Sequence, residues 1–296
     1  MKVTNKFGVP ETLEALANRQ FYSKGKSDYS VTEIMSPPRI QRLRARHHEE
    51  IESDVADMLW SLLGSALHVV AERSEVPGHI NEERLYIEVD GVTLSGQIDL
   101  QKIDGNEVEI VDYKFTSAWA LRQDKIDWAQ QQNIYGWLVH KIKGLNVRKL
   151  SICALVRDWS RREAQRNPDY PQAPIQMIEI NLWDMAFTEV FVRDRIRQHR
   201  DAKVSADWED ELPDCTEEER WVRDTKYALM KKDRKSALKL FDSAKEAEDL
   251  LSTLDDKHYI EVRRGEPIRC VNNFCGVNQW CSQFKQYQQE LSNDSL

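Results

Sequence analysis

The sequence predicts an α/β protein, and three observations carry that reading. Between residues 84 and 115, β-branched runs are broken by Asp-Gly at 90–91 and again at 104–105, the mark of strands joined by tight hairpin turns. Before them, "EEIESDVADMLWSLLGSALHVVAER" sets Ile51, Val55, Met58, Leu59, Leu62, Leu63, Ala66 and Val70 at helical spacing along one stripe. After them, beyond a further helix, "KLSICALV" and "IQMIEINL" again read as strands.

Taken in order, residues 1 to about 50 are polar and basic, an extension ending in a helix that follows Pro37 and Pro38 and carries Arg39, Arg42, Arg44 and Arg46. Residues 51–182 hold the convincing strands and form the core. His68 falls roughly opposite the apolar stripe of its helix, one turn after Gly64. Residues 183–296 read as helical and highly charged, with an acidic connector near 205–219 and a tail bearing cysteines. A chain of 296 residues, 41% of them hydrophobic, can bury a sizeable core. No apolar run approaches the roughly 18 to 20 residues that cross a bilayer, and "MKVTNKFGVPETLEAL" lacks the apolar centre of a signal peptide, so a soluble cytoplasmic protein is expected. The net charge of −8 argues against coating nucleic acid through bulk charge, although regions of opposite sign average out in it.

Charged residues interrupt the second and third strands. With a period of two, Ile110, Asp112 and Lys114 point to one face and Val111 and Tyr113 to the other. A turn near Asp104 and Gly105 lets Asp99 approach Asp112. Two carboxylates so placed repel and are costly to bury, unless a divalent cation lies between them or one stays protonated. A hard cation such as Mg²⁺ suits them, and a neighbouring lysine can position a water for attack on a phosphate. The alternative is an ordinary solvated strand face.

Four motifs then fall in order: Gly64-x-x-x-His68, Gly96-Gln97-Ile98-Asp99, Asp112-Tyr113-Lys114 and Gln131-Gln132-Asn133-Ile134-Tyr135. In these the sequence resembles the RecB-type branch of the PD-(D/E)XK nuclease superfamily, especially single-domain phage exonucleases and CRISPR-associated exonucleases. The resemblance covers about residues 30–182, including "YSVTEIMSPPR". It implies a restriction-endonuclease-like core, a central mixed sheet flanked by helices, with helical extensions at both ends. It further implies that His68, Asp99 and Asp112 bind Mg²⁺ or Mn²⁺ with the Tyr113 carbonyl, that Lys114 orients the attacking water, and that Gln131 and Tyr135 hold the DNA strand or the lysine. The expected activity is DNA exonuclease, leaving a 5′-phosphate and a 3′-hydroxyl, in recombination, repair or phage DNA processing. DNA ends, including single-stranded ones, are the expected substrate, a recombination or single-strand-binding protein a candidate partner, and a bacterial host's cytoplasm the setting if a phage encodes the chain.

Basic stretches outside the core could contact phosphates. The arginines 39, 42, 44 and 46 are the preferred contact; "RDWSRREAQR" at 157–166, with Trp159 for stacking, and "KYALMKKDRKSALK" at 226–239 are the others, the last reading more simply as a solvated face. Of five cysteines, Cys153 reads as a buried small hydrophobe, while Cys215, Cys270, Cys275 and Cys281 suggest a metal centre in a reducing compartment. The five-residue gap between Cys275 and Cys281 resembles the C-terminal pattern of iron-sulfur nucleases. The four-residue gap before Cys275 and the place of Cys215 after the core depart from it. A [4Fe–4S] cluster, Zn²⁺ and free thiols all remain open. Two rival readings are a non-catalytic DNA-binding protein on a nuclease scaffold and a cysteine-ligated module that recruits a partner.

Overall fold

The computed structural model describes residues 1–18, 23–122, 125–204 and 212–294, so residues 205–211 of the acidic connector lie outside the described residues. By packing, the chain falls into two units, residues 1–36 with 47–204, and residues 37–46 with 205–296. The arginine-bearing helix, assigned from composition to an N-terminal extension, thus packs with the C-terminal part.

The chain begins with β1 (Lys2–Thr4), α1 (Glu11–Ala17), the short β2 (Tyr29–Ser30) and α2 (Val31–Met35). Helix α2 starts where Ser30 caps it: the hydroxyl accepts from Glu33 N, and the Glu33 side chain accepts from Ser30 N. After α3 (Pro38–Arg46), β3 (Glu52–Asp54) runs parallel to β1. The helix expected from Ile51 therefore starts later, as α4 (Leu59–Glu72). Asp54 explains the delay. Its buried carboxylate accepts from Lys6 N, Thr4 Oγ1 and Ala56 N, local bonds that a helical backbone at this point would forgo.

Next come β4 (His79–Val89), β5 (Val92–Asp104) and β6 (Glu107–Thr116). Asp90 and Gly91, both left-handed with φ of 51° and 76°, make the first hairpin turn, and Gly105 at 58° opens the second. Helix α5 (Ile126–Lys143) crosses over to β7 (Asn146–Val156), which lies parallel to β6; Gly144, left-handed at 69°, ends the helix. After α6 (Arg161–Arg166), β8 (Ile175–Ile180) pairs antiparallel with β7, and α7 (Met185–Val204) closes the unit. The result is a mixed sheet of six strands in the order β2-β5-β6-β7-β8, with β4 also on β5.

Ile34 of α2, Ile134 and Leu138 of α5, and Val192 and Ile196 of α7 share one apolar core with Leu94, Ile98, Ile110 and Leu150 of the sheet. Helix α5 comes so close to β5 that a Cβ on Gly96 would lie 2.6 Å from Leu138 Cδ1, an overlap worth about 1–3 kcal/mol of strain.

An irregularity of β5 positions the site. Its inward row is even-numbered through Val92, Leu94 and Ile98, but farther along Gln101 and Ile103 lie opposite the inward residues Ile110 and Val108 of β6. The alternation shifts at Asp99. On β4 the pairing breaks at the matching place, between Asn81↔Leu100 and Glu83↔Ile98, where Glu82 is left-handed at φ 52°. Such a backbone costs on the order of 1–3 kcal/mol in a non-glycine residue and tends to mark functional sites.

The second unit contains α3, β9 (Lys226–Lys231), β10 (Lys239–Phe241), α8 (Ala244–Leu251), β11 (His258–Arg263), α9 (Ile268–Val271) and α10 (Ser282–Asp294). Its strands form an antiparallel sheet, β10-β9-β11, whose Leu229 and Phe241 pack against Ala247 of α8. The expectation of a purely helical C-terminal region is corrected here. "YALM" and "YIEV" are short strands hidden among lysines and arginines, and cross-strand packing under α8 outweighs their charged flanks. Among the described residues no helix is long and apolar enough to cross a membrane.

Candidate functional site

Asp112 and Lys114 continue on β6 the inward row begun by Val108 and Ile110, so an apolar row runs directly into a charged one. Asp112, 1% exposed, lies opposite Ile152 of β7, and Lys114 opposite Ala154. Lys114 Nζ is 2.7 Å from the buried Asp112 Oδ2, an ion pair that holds the ammonium against the carboxylate. Asp99 reaches the same region from the shift in β5, its Oδ2 accepting from Tyr113 N at 2.8 Å. From α4, His68 brings Nδ1 to 2.7 Å from Glu82 Oε1 and 3.6 Å from Asp99 Oδ1. His68, Glu82 and Asp99 each offer a ligand atom within 4.8 Å of the others.

Burial first, and repulsion from Asp112 second, push the Asp99 carboxyl up to about 7, against the pull of His68, the Tyr113 N–H and Lys114. Burial also raises Asp112, opposed by the Lys114 ammonium. His68 is raised by its hydrogen bond to Glu82, against the effect of burial. Without a cation, then, the carboxyls resist ionising. An oxygen-rich donor set with one imidazole, beside a buried carboxylate that only the Lys114 ammonium meets, fits a hard divalent cation.

Glu82 escaped the sequence reading. It stands in "NEERL" beside a second glutamate, and only its left-handed backbone opposite Asp99 distinguishes it. In the structure it forms one link of a chain: Arg84 Nη2 donates to Gln97 Oε1 at 2.5 Å, Gln97 Nε2 to Glu82 Oε2 at 2.8 Å, and the other Glu82 oxygen meets His68. With both oxygens so engaged, Glu82 favours the Nδ1–H tautomer of His68 and leaves Nε2 its lone pair.

Gln131 and Tyr135 lie one turn apart on α5, both buried, and Gln131 Nε2 donates to Tyr135 Oη at 2.8 Å. The Tyr135 ring sits over Gly96, on the same strand as Asp99.

Arg39, expected to contact DNA, is 2% exposed and serves otherwise. Its Nε donates to Pro213 O at 3.0 Å, Nη1 to Ser282 Oγ at 2.9 Å, and Nη2 to Leu212 O and to Asp214 Oδ1. The cause is the buried face of α3, where Ile40 and Leu43 enter the interior with it. Arg44 donates to Cys275 O at 3.1 Å, its charge disfavoured by burial and then by Arg269. Arg42 is half-buried and Arg46 exposed. Trp159, the proposed stacking residue, ties its indole N–H to Pro171 O at 2.7 Å.

Cys215, Cys270, Cys275 and Cys281 line one cavity of the second unit, together with Arg39, Arg220 and Arg269, while Cys153 lies apart on β7 opposite Tyr113. Burial pushes Cys215 up to about 12 and Cys270 up to about 11. Arg220 Nε and Arg269 Nε are buried there without a hydrogen-bond partner.

The model of the PD-(D/E)XK nuclease superfamily matches residues 11–282. No curated protein sequence matches the chain. Among solved structures, that of SSO0001 is 19% identical, covering 63% of this chain and 84% of that one with a TM-score of 0.42. A protein from Eubacterium rectale named as a candidate exonuclease is 13% identical, covering 49% of this chain and 55% of that one with a TM-score of 0.32. With both scores this low, the relationship rests on the match to the superfamily model.

Proposed function

The chain belongs to the PD-(D/E)XK nuclease superfamily, and on that premise we propose that it is a deoxyribonuclease dependent on a divalent cation and working from DNA ends. The observation that carries this reading is the cluster of half-buried His68 and Glu82 with buried Asp99, beside a buried Asp112 oxygen whose partner is the Lys114 ammonium.

In this reading His68, Asp99, Asp112 and the Tyr113 carbonyl hold Mg²⁺ or Mn²⁺, and Glu82 orients His68. The cation supplies charge neutralisation at the scissile phosphate and a more acidic water. Lys114, held by Asp112, points its ammonium at the attacking water and at the charge that builds on the phosphate. Tyr113 N keeps one Asp99 oxygen fixed, so the other is aimed before substrate arrives. Gln131 and Tyr135, already tied together, steady the strand or the lysine beside β5.

The cysteine cavity supports a [4Fe–4S] cluster. The four cysteines that line it can take such a cluster or tetrahedral zinc, and the five-residue gap between Cys275 and Cys281 inclines the reading to iron and sulfur. Three arginines around the sulfurs favour a centre of net negative charge, which a four-thiolate [4Fe–4S] cluster and a four-thiolate zinc share, and the unpaired N–H groups of Arg220 and Arg269 can donate to sulfur in either. The setting we propose is end processing in recombination, repair or phage DNA metabolism in the cytoplasm, with a recombination or single-strand-binding protein as partner.

The test is incubation of end-labelled linear DNA and closed circular DNA with purified protein in Mg²⁺, Mn²⁺ or EDTA. Degradation of linear DNA alone, and only with a cation, is expected. Cleavage in EDTA, or an unimpaired Asp99→Asn variant, would remove the proposed site.

A further inference from the structure

Strands β6 and β7 run parallel and end together, at Thr116 and Val156, with Arg157 N donating to Thr116 O at 2.9 Å. Lys114 lies opposite Ala154, so Arg157 follows the lysine's cross-strand neighbour by about 10 Å of strand, or about three steps of stacked DNA.

Two large aromatic rings stand exposed at this end. Trp60 of α4, 43% exposed, lies under the Arg157 guanidinium, whose Cζ is 4.8 Å from the ring centroid. Trp119, 66% exposed, sits in the turn that follows β6. That turn is fixed at its base, because Ala118 N donates to Asp158 Oδ1 at 2.7 Å and Ala120 N to Ser117 Oγ at 3.2 Å. Beyond Arg157, Arg161 and Arg162 are also exposed, and none of the three forms an ion pair with a carboxylate among the described residues. A single exposed tryptophan is unremarkable on a protein surface. Two of them, one already stacked on a guanidinium, with further exposed arginines four and five residues on at the start of α6, form the combination that holds unpaired nucleic acid: rings for bases and cations for phosphates.

We infer that the surface at the carboxyl ends of β6 and β7 binds an unpaired DNA strand, with Trp60 and Trp119 stacking its bases and Arg157, Arg161 and Arg162 meeting its phosphates. This rests on the nuclease reading and narrows it: the substrate is DNA with a single-stranded end, because bases within a duplex do not offer their faces to either ring.

The experiment measures binding without cleavage. A fluorescein-labelled oligothymidylate and a duplex of equal length are titrated with the full-length protein in EDTA, read by anisotropy. Trp60→Ala and Trp119→Ala should each weaken single-strand binding by about 10-fold, with little change for the duplex. Replacing Arg157, Arg161 and Arg162 together with glutamine should lower the slope of log K against log salt by about 2. Ultraviolet cross-linking of a 5-iodouracil oligonucleotide to the wild-type protein, mapped by mass spectrometry, serves should a variant misfold; adducts at Trp60 or Trp119 are expected. Single-strand affinity within twofold of wild type in both tryptophan variants, or adducts confined to other aromatics, would overturn the assignment. Because nothing is cleaved in these measurements, a protein that binds normally but never hydrolyses DNA defeats the nuclease reading and leaves this surface standing.

Discussion

Asp99→Asn should stabilise the protein in the absence of metal. A buried carboxyl titrating at about 7 instead of the ordinary 3.8 opposes folding by roughly 4 kcal/mol once it is fully ionised, at about 1.36 kcal/mol per pH unit. Between about pH 4 and 7 the folded protein keeps a proton that the unfolded chain has released, so wild-type stability falls as pH rises through that window and levels off above it. Asparagine has no proton to lose, and its carbonyl oxygen can still accept from Tyr113 N, the bond Asp99 makes at 2.8 Å. Urea unfolding in EDTA should then show the variant more stable by about 2–4 kcal/mol at pH 8 and indistinguishable at pH 4. Mg²⁺ should close the gap, since a cation at a thousand times its Kd contributes about 4.1 kcal/mol to the wild type alone. A variant no more stable than wild type at pH 8 in EDTA would refute the claim that these carboxylates are strained without a cation.

Lys114→Ala should keep its Mn²⁺ affinity within about twofold by calorimetry while turnover falls on the order of 100- to 1,000-fold, because the ammonium acts on developing charge; affinity that collapses with activity would make the lysine part of the ligand support. Glu82→Ala should lower Mn²⁺ affinity by about 10- to 100-fold and shift the His68 ring nitrogens toward mixed tautomers in ¹⁵N spectra; an unchanged tautomer would take Glu82 out of the histidine's support. Protein purified without oxygen should be brown, and Cys275→Ser should bleach it and make residues 212–294 more open to protease. Folded, anaerobic protein containing neither iron nor zinc would return the cysteines to the status of buried thiols.

The β4–β6 meander was legible because two Asp-Gly pairs admit left-handed backbone and fix its turns locally. Asp99, Asp112 and Lys114 could be singled out because charge on an inward-facing row is costly and therefore conspicuous. Glu82 could not, since its role depends on a local break in strand pairing that leaves no mark on composition. Arg39 misled for a related reason: a run of arginines on an amphipathic helix reads as a cationic face, yet one member lies on the apolar side and becomes a buried tie to carbonyls distant in sequence. The second sheet was missed because its strands are short and flanked by lysines, and what makes them strands is packing beneath α8.

The union of α3 with the C-terminal part also sets a schedule for biosynthesis. Arg39 meets Cys281 across 242 positions of sequence, which at about 5–20 residues per second separates their emergence from the ribosome by roughly 12–50 s. Throughout that interval Ile40, Leu43 and a guanidinium destined for burial await the C-terminal segment they pack with, while residues 47–204 are still being made. Ribosomes stalled before codon 281 would therefore display α3 as a hydrophobic segment open to chaperones, and a nonsense mutation near the end of the gene would do its damage at residue 39.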